Sequence, residues 1–143
     1  MPQESIVKKN ITLNANLSSV WKALTDPSMT KQYMFGCELI SDWKEGSEII
    51  WKDEETIRVT GHILSIDPEK TLQFTVFDPH MGLEDIPSNY LTVTYQLSSE
   101  NNITTLSVSQ GDFSKVENSE KRYHDTLAGW EYALNGLKAL LEN

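Results

Sequence analysis

The sequence predicts an α+β fold. A curved, mostly antiparallel sheet of about six to seven strands is covered by one long C-terminal helix, with short helices after the first strand. Three observations carry this expectation. Val20-Trp21-Lys22-Ala23-Leu24-Thr25-Asp26-Pro27 reads as a short helix with a defined end. The middle of the chain consists of strand-length segments joined by short turns, and short turns join antiparallel neighbours. Residues 119–142 then form the one long amphipathic segment, the only element long enough to cover a face of the sheet.

Taken in order, Ser5–Asn14 reads as a strand, with Ile6, Lys8, Asn10 and Thr12 on one face and Val7, Ile11 and Leu13 on the other. In the helix that follows, Leu17, Val20, Trp21 and Leu24 fall at helical spacing, and Ser18 or Ser19 stands where an N-cap is wanted. Pro27 disfavours helical geometry at Asp26, so the helix should stop there. Proline also suits a first helical position, so Ser28–Tyr33 is expected to add one more turn. A short helix with a wide apolar face cannot bury that face alone. Its expected partner is the terminal helix, and Val20–Pro27 is read as one wall of a pocket, anchored by Trp21. Pro27 then directs the chain to Tyr33–Phe35 at the mouth.

The strands follow. Cys37–Ser41 is the first candidate, Lys44–Ser47 is a turn, and Glu48–Lys52 is a short strand. Asp53-Glu54-Glu55 reads as a hairpin loop leading into Thr56–Ile66, where Gly61 marks a bulge or bend. After the Asp67–Lys70 turn, Thr71–Phe77 places Leu72, Phe74 and Val76 on one face. Asp78–Ser88 is the longest loop, punctuated by Pro79, Gly82 and Pro87. Tyr90–Leu97 alternates cleanly, with Leu91, Val93, Tyr95 and Leu97 opposite Thr92, Thr94 and Gln96. Ser98–Asn102 turns the chain into Ile103–Gln110. The terminal helix has a capping-box pattern at Ser114–Glu117 or a later cap at Asn118 or Ser119. Its stripe is Tyr123, Leu127, Trp130, Leu134, Leu137 and Leu141, and from Ser119 to Glu142 it spans roughly 36 Å at ~1.5 Å per residue.

Composition narrows the function. The chain has 143 residues, which fits a single domain over 1–143. Its formal charge of −9 argues against a nucleic-acid partner, which needs clustered Lys and Arg, and against an anionic membrane surface. No apolar run approaches spanning length, so no membrane insertion is expected. The single cysteine, Cys37, permits no internal disulfide, and the polar Met1–Ser5 start lacks a signal-peptide pattern; both point to the cytoplasm.

The segment Val20–Pro27 resembles the opening helix of the START/Bet v 1-like (SRPBCC) superfamily, in its branch related to the activator of Hsp90 ATPase. Gly61–Pro68, then Thr105-Leu106-Ser107-Val108, then Gly129-Trp130 with Leu134, Leu137 and Lys138 are similar in order, so the resemblance covers nearly the whole chain. It implies a helix-grip fold, a curved antiparallel sheet gripping the terminal helix around a hydrophobic cavity. Many relatives follow Asp-Pro with a Trp-centred segment and a Gly-Gly strand. Here Gln32–Gly36 and Trp43–Ser47 stand in those places.

Catalytic signals are sparse. His62, His80 and His124 are far apart and Cys37 has no second thiol nearby, so neither a metal site nor a cofactor is expected. His80 lies near Asp78, Glu84 and Asp85, which reads either as an acid/base pair or as a solvated acidic loop; the second is favoured because no nucleophile or oxyanion hole accompanies it. The aromatic and Met residues are the stronger lead. Tyr33, Met34, Phe35, Trp51, Phe74, Phe77, Met81, Tyr95 and Trp130, with Leu134, fall on elements that surround the space between sheet and helix. Each is either a ligand contact or plain core, and packing is the default use of such side chains. Gly129 and Gly136 flank the helix stripe and admit two readings, close approach of a neighbouring element or free volume for a ligand. Trp130 has an indole N–H that needs a backbone or ligand partner when buried.

Three functions are compatible with these residues. The leading one is non-catalytic binding of a small hydrophobic or amphipathic molecule, lipid-like or aromatic. The second, implied by the resemblance, is a co-chaperone-like interaction with a chaperone partner. The third is a cyclase- or hydrolase-like enzyme, which would need polar groups converging inside the cavity.

Overall fold

In the computed structural model, which describes residues 6–80, 82, 84–111, 113 and 119–142, the strands form one seven-stranded antiparallel sheet. The elements are β1 (Val7–Leu13), α1 (Leu17–Thr25), α2 (Pro27–Thr30), β2 (Glu38–Ser41), β3 (Glu48–Lys52), β4 (Ile57–Asp67), β5 (Thr71–Val76), β6 (Leu91–Glu100), β7 (Ile103–Gly111) and α3 (Ser119–Glu142), with a 3-10 turn at Pro87–Asn89. The sheet order is β1-β7-β6-β5-β4-β3-β2. Strands β2 to β7 form a continuous meander, and β1 returns to pair with the last of them. This is the expected helix-grip architecture.

Alternation decides which face is buried. Val7 and Leu13 of β1, Leu72, Phe74 and Val76 of β5, Leu91, Val93 and Tyr95 of β6, and Leu106 and Val108 of β7 all point into the core. Each fully buried aliphatic side chain contributes about 1.5–3 kcal/mol relative to exposure, so this face is the main source of stability. The turn between β6 and β7 is tighter than Ser98–Asn102. It is the two residues Asn101 and Asn102, both with positive φ (55° and 64°). Paired left-handed residues give a type I′ turn whose twist suits a hairpin, and Asn tolerates that conformation. The strands therefore extend to Glu100 and Ile103.

Gly61 sits where the ladder between β4 and β5 is interrupted. Thr60 pairs with Phe77 and Ile63 with Phe74, but the ladder lapses between them and its register shifts after Ile63. A Cβ on Gly61 would stand 1.7 Å from the Thr75 carbonyl oxygen, so only glycine allows the two backbones this close.

The helical turn at the front obeys its proline. Asp26 is extended (ψ 116°) and caps both helices: its backbone N–H closes α1 on the Lys22 carbonyl, while its carboxylate accepts from the Ser28 N–H at 2.9 Å. The cap at the start of α1 is neither Ser18 nor Ser19 but Asn16, whose Oδ1 accepts from the Ser19 N–H at 2.9 Å. Helix α2 stops at Thr30, short of Tyr33, and the Thr30 hydroxyl accepts from the Leu39 N–H at 3.0 Å, which ties α2 to β2.

Helix α3 begins at Ser119; the capping-box residues Ser114–Glu117 lie outside the described residues. It runs beside β1 in the same direction. Lys9 pairs with Glu131 at 3.0 Å, Lys138 Nζ donates to the Thr12 carbonyl at 3.1 Å, and Asn14 N–H donates to Glu142 at 2.9 Å. Between the first and last contacts the strand and the helix both advance roughly 16 Å, at about 3.3 Å and 1.5 Å per residue respectively. Strand and helix pitch are thus commensurate along this seam. No described helix is long and apolar enough to cross a membrane.

Candidate functional site

Four aromatic rings predicted from separate strands and from α3 form one chain across the interior. Trp51 on β3 meets Phe74 on β5 edge-on at 6.5 Å. Phe74 meets Tyr95 on β6 at 5.8 Å, and Tyr95 meets Trp130 on α3 at 5.9 Å. Such edge-to-face contacts fix ring orientation as well as burying area. The two ends of the chain, Trp51 and Trp130, border a cavity of about 350 Å³ between the sheet and the first half of α3. The middle rings, Phe74 and Tyr95, are fully buried beneath it and do not line it.

The rest of the predicted set divides similarly. Met34, Phe35 and Phe77 line the cavity together with Trp51 and Trp130. Tyr33 and Leu134 lie in the core away from it. Tyr33 donates its hydroxyl to the Ala23 carbonyl at 2.6 Å, bracing α1 against the segment that follows α2. Burial pushes the Tyr33 hydroxyl pKa well up, as it does that of Tyr95, so both stay neutral. Met81 lies outside the described residues. Helix α1 is not a wall of the cavity: Val20, Ala23 and Leu24 are spent on the core, and Trp21 packs against it from the side.

Sequence reasoning missed the polar end. Asp78, Gln110, Arg122, Asp125 and Thr126 also border the cavity, so it is not wholly apolar. Arg122, Asp125, Thr126 and Gly129 recur at helical spacing on α3, beside the apolar stripe. That second face was readable from spacing alone, but a polar helix face is normally assigned to solvent. Gln110 gives Trp130 its partner: the indole Nε1–H donates to Gln110 Oε1 at 2.9 Å, a side-chain acceptor rather than a backbone one.

Electrostatics at this end are uneven. Asp125 is held by Lys121 at 2.7 Å on an exposed surface. Asp78 accepts from the His80 backbone N–H at 2.8 Å. The His80 ring bonds the Ile57 carbonyl at 2.9 Å, with no bond to Asp78, Glu84 or Asp85, in keeping with a solvated loop. Burial pulls the Arg122 guanidinium below its usual range, and the Asp78 charge opposes this through space. Among the described residues no three His, Cys, Asp or Glu side chains converge to hold a metal.

The two helix glycines have different meanings. A Cβ on Gly136 would meet Tyr33 Cβ at 3.1 Å, so that glycine allows close approach. A Cβ on Gly129 would meet only the tip of Phe35, at 3.7 Å, and Gly129 borders the cavity. Phe35 and Gly36 both have positive φ (57° and 78°), which reverses the chain at the mouth. Phe35 is 57% exposed and stacks on Tyr132 of α3, with ring centroids 5.2 Å apart.

The family described as activator of Hsp90 ATPase homolog 1-like protein matches residues 14–142. The chain belongs to this family. ChR145 from Cytophaga hutchinsonii has a solution structure that is similar at a TM-score of 0.80 and 34% identity, with 100% of this chain and 97% of that one covered. CalU16 from Micromonospora echinospora is similar at 0.73 and 23% identity, covering 95% of this chain and 75% of that one. The Aha1 dimer from Colwellia psychrerythraea is similar at 0.74 and 17% identity, covering 96% of each. The last two likenesses bear on fold alone. No curated protein sequence matches the chain.

Proposed function

We propose that this member of the activator of Hsp90 ATPase homolog 1-like family binds a small, largely apolar molecule between its sheet and the first half of α3. The observation that carries the reading is the cavity itself. Its volume of about 350 Å³ lies within the range of about 300–1,000 Å³ usual for small-molecule sites, at the small end. Its lining combines Met34, Phe35, Trp51, Phe77 and Trp130 with a few polar groups at one end, the composition such sites share. Gly129 adds to the open space, since an alanine methyl there would stand 3.7 Å from the Phe35 ring.

The family name supports a chaperone partner in general terms, and no particular residue of this chain adds to it. An enzymatic role draws support from the polar end of the cavity. Against it, the carboxylates that line the cavity are engaged elsewhere, Asp125 with Lys121 and Asp78 with the His80 N–H, and neither is hydrogen-bonded to the Thr126 hydroxyl. Ligand binding without chemistry is the function these residues favour.

Titration of the ¹⁵N-labelled protein with a panel of aromatic and lipid-like compounds tests the proposal. Chemical-shift changes should concentrate at Phe35, Trp51, Gly129 and Trp130. A broad panel that leaves these signals in place would refute it.

A further inference from the structure

We infer that the ligand is an amphipathic monocarboxylate: an apolar ring body whose carboxylate faces Arg122 and whose far end presents an acceptor oxygen to Trp51. This rests on the cavity being a ligand site. Of the three buried side-chain polar atoms without a hydrogen-bond partner among the described residues, two belong to residues that line this cavity, Trp51 Nε1 and Arg122 Nη1; the third, the Tyr95 hydroxyl, belongs to a residue that does not line it. Proteins pair nearly all buried donors, and leaving one unpaired is costly, more so when it is charged. Two such donors at one cavity, from the sheet on one side and the helix on the other, call for a molecule that brings acceptors to both.

Other polar groups at the cavity find partners within the protein. The other indole at the cavity, Trp130, has its acceptor built in as Gln110. Of the two carboxylates at the polar end, Asp125 is taken by Lys121, and Asp78 accepts from a backbone N–H and forms no ion pair with Arg122. Arg122 also lies in the first turn of α3, where the helix dipole disfavours a cation and favours an anion. A carboxylate there would receive charge-assisted bonds from the guanidinium, the stronger class of hydrogen bond. Asp78 sets the limit: with one negative charge already near Arg122, a monoanion fits better than a dianion such as a phosphate. Val59, Val76 and Phe77 supply the apolar stretch for the ring body.

Calorimetry and ¹⁵N NMR with 6-hydroxy-2-naphthoate and 2-naphthol, which lacks the carboxylate, test the inference. The acid should bind the wild-type protein at least tenfold more tightly. Arg122→Gln should abolish that preference, and Arg122→Lys should keep part of it. Trp51→Phe should weaken both probes several-fold, with folding of every variant checked by its NMR spectrum. If both probes bind equally at the cavity and Arg122→Gln changes nothing, the carboxylate assignment falls while ligand binding stands. If Trp51→Phe leaves both affinities intact, the role of Trp51 falls. If neither probe moves a cavity signal, the ligand reading falls along with the inference.

Discussion

Gly129 and Gly136 lie seven residues apart on α3, and comparing their surroundings divides the molecule into two regions. Around Gly136 the helix is seated: Tyr33 presses against it, Leu134 and Leu137 are buried, and Lys138 and Glu142 tie it to β1. Around Gly129 the helix stands off from the sheet, and the space between holds the cavity. The same stripe of apolar residues runs through both halves. What differs is what arrives from the other side, the tightly braced Tyr33 segment in one case and the bent strands β3 to β5 in the other. Stability should therefore concentrate in the second half of α3 and binding in the first.

The largest effect is expected in the seated half. Leu137→Ala removes a fully buried side chain and should lower the unfolding free energy by about 2–5 kcal/mol in urea melts. A loss below about 1 kcal/mol would break the comparison, since that region would then be able to collapse around the gap.

The two glycines give the sharper contrast. Alanine in a helix is worth about 1 kcal/mol more than glycine. At Gly136 that gain is opposed by a Cβ only 3.1 Å from Tyr33, which cannot easily give way because its hydroxyl is bonded to Ala23. Overpacking of this kind costs about 1–3 kcal/mol, so Gly136→Ala should be destabilising by about 1 kcal/mol net. At Gly129 the new methyl meets Phe35 at an ordinary distance, so Gly129→Ala should raise stability by up to about 1 kcal/mol. It should also weaken any ligand that uses the space beside Trp130. Thermal melts of the pair, read together with NMR titration, would show opposite signs; equal signs would mean that the two halves are not distinct.

The smallest effect lies on the exposed hairpin beside Trp51. Arg58 donates to Asp53 at 2.6 Å, and the Glu55 and Thr56 N–H groups add to it, which lowers the Asp53 carboxyl to about 2. A carboxylate whose folded pKa is depressed adds stability that is complete above its unfolded value near 4 and is lost as pH falls toward 2. Asp53→Asn should thus be slightly less stable than wild type at pH 7, with the gap closing between pH about 4 and 2. A gap that is constant across that window would mean that the charge plays no part.

Much of the fold was legible because it is written in period and punctuation. Pro27 ended one helix and began the next, alternation marked the inward faces of β5 and β6, and the stripe on α3 was read with the same bounds, Ser119 to Glu142. Local errors came where two polar residues compete for one role, as at the α1 cap, where Asn16 rather than a serine reaches the Ser19 N–H. The site was legible only in part. The aromatic residues were picked out by type, and type cannot say whether a ring faces a cavity or lies beneath one. Phe74 and Tyr95 lie beneath, and Trp51 and Trp130 face it.

By itself, the sequence determined the order of the elements, the faces they bury and the family to which they belong, because hydrophobic period and turn chemistry act over a few residues. Only the tertiary structure decided which glycine is filled by a neighbour and which opens on space, and that Arg122 and Trp51 present unpaired donors to the same cavity. Those are relations between residues 71 positions apart or more in two cases, Trp51 with Arg122 and Tyr33 with Gly136, and no local pattern encodes them. They depend on how far a bent sheet stands from a helix anchored at its other end.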